Sequence, residues 1–192
     1  MIRTHWAAWR FNGFAICLAL VGVLLLLAPR NTVAVPGRDG VYSVLWPLAP
    51  VLVGMWVIAG LRPAYLDLRL TAVRRILDRA IAMAVTSAGA MLVVGVAPAD
   101  QHTILYRNIV YTLGVSFICV SMLPKSTAWI PTVSPPMIMW LLGTRSTGPP
   151  QAWAVLLRPE DDHAALAVAV LAYAVGTTLM LGLRRGLSSS GT

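Results

Sequence analysis

Charge is scarce in this chain, and carboxylate is the scarcer half of it. Of 192 residues only 11% are charged, with 7 Asp and Glu against 15 Lys and Arg, a net charge of +8. So little charge excludes an ordinary soluble domain, whose surface needs far more. Cysteine is nearly absent: Cys17 and Cys119 both fall inside apolar segments, where they read as small buried hydrophobes and not as a disulfide or a metal pair. His5, His102 and His163 fall in three separate loops or ends, so they form no cluster. There is no G-x-x-x-x-G-K-[ST] phosphate loop, no G-x-S-x-G elbow, no H-E-x-x-H pair and no C-x-x-C. The sequence therefore offers no catalytic residue, no metal ligand and no nucleotide site of its own. The apolar segments also lack Asp, Glu and Lys at mid-depth, which excludes a self-contained ion-coupled transporter or proton relay.

What is abundant is hydrocarbon. Hydrophobic residues make up 58% of the chain and the mean hydropathy is +0.75, as expected of an integral membrane protein. The excess of arginine does not imply nucleic acid, because the basic residues form short clusters between apolar runs of bilayer length. That distribution suits membrane orientation and anionic headgroups. Residues 1–13 read as an interfacial lead-in, with Trp6 and Trp9 at headgroup depth and Arg3 and Arg10 reaching water. The first expected span is Phe14 to Ala28, retained and not cleaved as a signal peptide, since no small-x-small cleavage site follows it.

Arg30 to Gly40 reads as a loop, and Val41 to Gly60 as the second span, with Pro47 and Pro50 inside it. Ala80 to Val96 is the third and Ile104 to Leu123 the fourth, with Arg107 and Asn108 expected at its interfacial end. Ala128 to Leu142 is the fifth. Pro131, Pro135 and Pro136 make a straight helix there unfavourable, so a kinked or partly unwound span and a possible gate are expected. Residues 143–163 form the longest polar connection, its apolar middle expected to lie on the membrane surface. Glu160, Asp161, Asp162 and His163 then read as the cap of the last span, Ala164 to Leu183. Residues 186–192 are a Ser/Gly tail expected to be disordered.

The stretch 61–81 carries five arginines, Arg62, Arg69, Arg74, Arg75 and Arg79. Leu66, Leu70, Val73 and Leu77 fall on one stripe at helical spacing, so the stretch reads as a basic amphipathic helix. Two roles suit it: a solvated loop that fixes orientation, or a docking element for a cytosolic partner. With both termini inside, Arg3, Arg10, those five arginines, Lys125, Arg184 and Arg185 face the cytoplasm. Arg30, Arg38, Arg107, Arg145 and Arg158 face out, a ratio of ten to five. The expected fold is thus all-α, one domain of residues 1–192 with six transmembrane helices and cytoplasmic termini, multi-pass in a bacterial inner or plasma membrane.

The layout resembles a known family. Six spans, the basic linker 61–81, the short lead-in and the long outer connection look like the permease subunit of a type-2 ABC export system. Arg107-Asn108, Ala128-Trp129-Ile130-Pro131 and Trp153-Ala154-Val155-Leu156-Leu157-Arg158-Pro159 are similar to segments of small actinobacterial permeases of this kind. The resemblance implies that Arg62 to Arg79 form the coupling helix docking on a separate ATP-binding ABC subunit. It also implies that ATP and Mg are bound by that subunit alone, so that this chain is no enzyme. A second permease, in a homo- or heterodimer, completes the pathway for a lipid, peptide or other hydrophobic compound. The lead-in is shorter than the family's connecting helix. The alternative is a non-transporting membrane module, such as an immunity, scaffold or signalling partner, or a membrane enzyme without a recognisable motif.

Overall fold

The computed structural model describes residues 13, 15–23, 25–26, 32–60, 72–124 and 126–182. The lead-in up to residue 12, positions 61–71 of the basic stretch and the tail from residue 183 lie outside the described residues. The chain is mostly helical. Helix α1 covers 15–23 and 25–26, and is followed by a hairpin of β1 (Thr32–Ala34) and β2 (Tyr42–Val44). The remaining helices are α2 (Ala49–Gly60), α3 (Ala72–Val94), α4 (His102–Met122), α5 (Ile130–Gly143) and α6 (His163–Gly182). Among the described residues two helices are long and apolar enough to cross a membrane, Ala99–Met122 and His163–Gly182; Trp46–Ala59, Arg79–Val94 and Ile130–Gly143 are shorter apolar helices.

The hairpin corrects both the expected loop 30–40 and the start of the second span. Thr32 pairs with Val44 and Ala34 with Tyr42, antiparallel, and helix begins only with a 3-10 turn at Trp46–Leu48. The reason lies in the turn. Gly37 and Gly40 take φ of 74° and 71°, the left-handed conformation that glycine adopts without strain, and Val35 and Val41 close it with a backbone bond of 2.8 Å. Tyr42 and Val44 then continue in strand, as an aromatic and a β-branched residue do readily. The apolar run from Val41 was therefore not evidence of helix from its first residue.

Helix α4 is the axis of the bundle. It packs against α2, α3, α5 and α6 and is buried on nearly every side. Around it the other helices show one buried stripe each: Val21 and Leu25 on α1; Ala49, Val53 and Val57 on α2; Met83, Thr86, Ala90 and Val93 on α3. These recur at three or four residues, as a helix presenting one face requires. On α6 the stripe is made of Ala165, Ala169, Gly176 and Met180, while Leu166, Val170, Leu171 and Val175 remain exposed.

The α4–α6 contact is backbone against backbone. A Cβ on Gly114 would run into the main chain of Ala172 and Tyr173, and one on Gly176 into the Gly114 carbonyl. Close approach through small residues is how helices gain contact when the medium outside is as apolar as the side chains. Phe117 and Tyr173 meet beside that contact with centroids 5.9 Å apart and rings tilted by 54°, and Ser87 and Tyr173 share a hydrogen bond of 2.8 Å that ties in α3.

The partial unwinding expected of the fifth segment is absent. Helix α5 runs unbroken through Pro135 and Pro136, and Pro131 sits in its first turn, where a missing N–H costs nothing. The turn ahead of it is already wound, with Ala128 N–H on Pro124 O at 3.0 Å and the Trp129 indole N–H on Ser126 O at 2.9 Å.

Candidate functional site: the polar seam of the central helix

Three polar residues on α4, Asn108, Thr112 and Ser116, recur at intervals of four and so share one face. All three are buried, and Arg107 beside them is only 2% exposed. Arg107 and Asn108, expected near the interfacial end of the fourth span, stand in the second turn of α4 and are enclosed by protein. The Arg107 guanidinium donates through Nη1 to Pro159 O at 2.9 Å, through Nη2 to Arg158 O at 2.8 Å and through Nε to Asn108 Oδ1 at 3.5 Å. Asn108 Nδ2 donates to Leu156 O at 3.0 Å and Pro47 O at 3.4 Å. A guanidinium buries its charge when carbonyls meet its planar fork of donors, and the connection 143–163 supplies two.

That connection is consequently packed against the end of the bundle. Ala154 and Leu156 are buried against Met139, and a 3-10 turn forms at Val155–Leu157, while Trp153 remains exposed. Arg158 pairs with Asp162, whose other oxygen accepts the Ala165 N–H at 2.9 Å. Asp162 thus does the capping at the start of α6. The Ala165 N–H first, and the Arg158 side chain second, hold the Asp162 carboxyl below the usual carboxylate range.

The hairpin closes the same end. Arg38 Nη1 donates to Thr144 O at 2.6 Å and Leu141 O at 3.2 Å, satisfying carbonyls left open at the C-terminus of α5. Trp140 Nε1 donates to Val44 O at 3.1 Å, and Thr144 Oγ1 meets Ser43 Oγ at 3.2 Å. Arg145 reaches Gln151 Oε1 at 2.6 Å. Four of the five arginines assigned to the outer side, Arg38, Arg107, Arg145 and Arg158, are therefore bonded within this cap.

Deeper in the seam, α2, α4 and α5 cross at Gly54. A Cβ there would lie 2.6 Å from Thr112 Cγ2, 2.7 Å from Ser116 Oγ and 2.8 Å from Thr132 Cγ2. Ser116 donates back to Thr112 O at 2.7 Å, but Thr112 Oγ1 and Thr132 Oγ1 are buried with no hydrogen-bond partner. Of the suspected gate residues, Pro136 is buried on this face and Pro131 and Pro135 lie beside it.

At the opposite end of the bundle, α3 begins at Ala72, inside the basic stretch, and passes without a break into the apolar segment. Positions Val73, Arg74 and Arg75 stand in its first turn; Leu77 is 57% exposed, and Arg79 donates to Met180 O at 3.3 Å, near the end of α6. Arg62, Leu66, Arg69 and Leu70 lie outside the described residues, as do Arg3, Trp6, Trp9 and Arg10. The structure thus joins Arg79 to α6. Sequence reasoning missed Gly54, Thr112, Ser116 and Thr132. Their signal was the four-residue spacing of Asn108, Thr112 and Ser116 in an otherwise apolar helix. Among the described residues no three potential metal ligands come together. Compared with protein-family models, curated proteins and solved structures, the chain matches none.

Proposed function

We propose that this chain is the membrane-spanning permease subunit of an ABC exporter, moving a hydrophobic or amphipathic compound with ATP hydrolysed by a separate subunit. In this reading the six helices are six spans, the termini are cytoplasmic, the capped end faces out, and a second permease completes the pathway. The observation that carries the reading is α3. Its 23 residues make one rod of about 35 Å at 1.5 Å per residue, with Arg74 and Arg75 at one end and the bundle core at the other. A displacement imposed on that basic end is transmitted along an unbroken helix, and through Arg79 to the end of α6. The lack of Asp and Glu in α2, α4, α5 and α6, and in α3 beyond Asp78 near its start, fits energy supplied by a partner.

The test is Arg74→Glu together with Arg79→Glu, with Arg79→Glu alone as control because that side chain also bonds Met180. A buried charge pair losing one member costs about 2–5 kcal/mol, against less than about 1 for a solvated pair. The double variant is expected to insert normally but to lose association with the ATPase, or its stimulated turnover, beyond the effect of the control. Unchanged association and turnover would reduce the stretch to an orientation signal and leave a non-transporting membrane module.

A further inference from the structure

Long basic side chains ordinarily hide a short span from a thick bilayer, because their stems let the charge reach water from below the headgroups. Arg38 has no such freedom. Its Nη1 is held on Thr144 O at 2.6 Å and on Leu141 O at 3.2 Å, which pins a charge to the last turn of α5. At the other end of that helix the exposed Trp129 donates its indole N–H to Ser126 O at 2.9 Å, and such a ring marks headgroup depth. The apolar height between these marks is therefore that of α5 itself, whose 14 residues measure about 21 Å. Helix α2, which touches α5 at Gly54, has 12 residues, about 18 Å, or about 24 Å with the 3-10 turn ahead of it. Leu52 and Met55 on α2 and Met137 and Ile138 on α5 stand exposed on this short pair.

Helix α6 is the contrasting element. Its 20 residues measure about 30 Å, the thickness of an ordinary hydrocarbon core, and Leu166, Val170, Leu171 and Val175 are exposed along it. It meets α4 at Gly114, whereas α2 and α5 meet α4 at Thr112 and Ser116. Two residues along a helix turn the chain to the opposite side, so the short pair and the long helix flank α4 on opposite faces. We propose that this chain carries a bilayer of uneven thickness, with shorter-chain lipids gathered against the α2–α5 face, about 6–9 Å short of an ordinary core, and lipids of ordinary length against α6. The inference rests on the membrane reading above, and on neither an ATPase nor transport.

The experiment places a bimane fluorophore at Ile138→Cys or at Leu171→Cys in the full chain with Cys17 and Cys119 replaced. The chain is reconstituted in vesicles of brominated dioleoyl phosphatidylcholine, whose bromines quench on contact, diluted with either dimyristoleoyl or unbrominated dioleoyl phosphatidylcholine. Relative to the dioleoyl diluent, the shorter lipid is expected to relieve quenching about twofold more effectively at Ile138→Cys than at Leu171→Cys, as a modest cost per Å of mismatch gives. Met137→Cys and Val170→Cys repeat the comparison on the same two faces should the first pair perturb the fold. Equal preference at the two faces means that the bundle tilts as a whole, and overturns the proposal. Ile138→Cys that no lipid quenches, with Leu171→Cys quenched, means that a second copy covers the α5 face, and overturns it as well. Quenching at neither position puts the chain outside the bilayer, and the membrane reading falls together with the proposal.

Discussion

Arg107 shows how one residue decides what a loop does. Its fork takes the carbonyls of Arg158 and Pro159 and thereby pulls the connection 143–163 against α4. Arg107→Ala removes the donor from two partly buried carbonyls that water can reach in part, so a loss of about 1–3 kcal/mol in all is expected in reversible unfolding. Arg107→Lys should recover only part of it, because an ammonium does not reproduce the planar fork. Asp162 makes the same cap sensitive to pH. Its carboxyl is held low by the Ala165 N–H and by Arg158, so its stabilising effect is complete above the unfolded carboxylate value of about 3.9 and fades as pH falls through the lower folded value. Thermal melts are therefore expected to decline in acid below about pH 4, more steeply for the native chain than for Asp162→Asn.

Among the helices, the sharpest constraint is the pairing of α4 with α6. Backbone lies where a Cβ on Gly114 would go, and no rotamer change relieves that, so Gly114→Ala is expected to cost at least about 2 kcal/mol in lipid or detergent unfolding. Gly22→Ala on α1 is the contrasting case. Nothing lies within 4 Å of its added Cβ, and the gain in helix propensity makes it neutral or stabilising by up to about 1 kcal/mol. The prolines of α5 carry a different lesson. Pro135 and Pro136 remove two N–H groups but leave φ helical, so surrounding contacts such as Trp140 on Val44 and Arg38 on Thr144 keep the helix whole.

For the molecule as a whole the question is which ends face which side. Ser126 lies in the turn before α5 and Thr147 in the loop after it, both exposed, at opposite ends of that helix. Single cysteines at these two positions, with Cys17 and Cys119 replaced, are expected to react with an impermeant maleimide from opposite sides of the membrane, Thr147→Cys from outside. Labelling of both from one side would contradict six spans.

The sequence by itself determined that the chain is mostly helical and where most helices lie, because apolar runs of that length and small-residue stripes at helical spacing have few other solutions. The acidic cap ahead of α6, where Asp162 serves, was legible for that reason: it is a local pattern, read within a turn. Only the tertiary structure decided the rest. That Tyr42 to Val44 pair as strand depends on a turn with two left-handed glycines and on a partner strand. Whether Arg107 faces water or a carbonyl depends on a loop some fifty residues away. Gly54, Thr112 and Thr132 become one cluster only when three helices cross, and spacing along a single helix carries no information about which neighbour its face will meet.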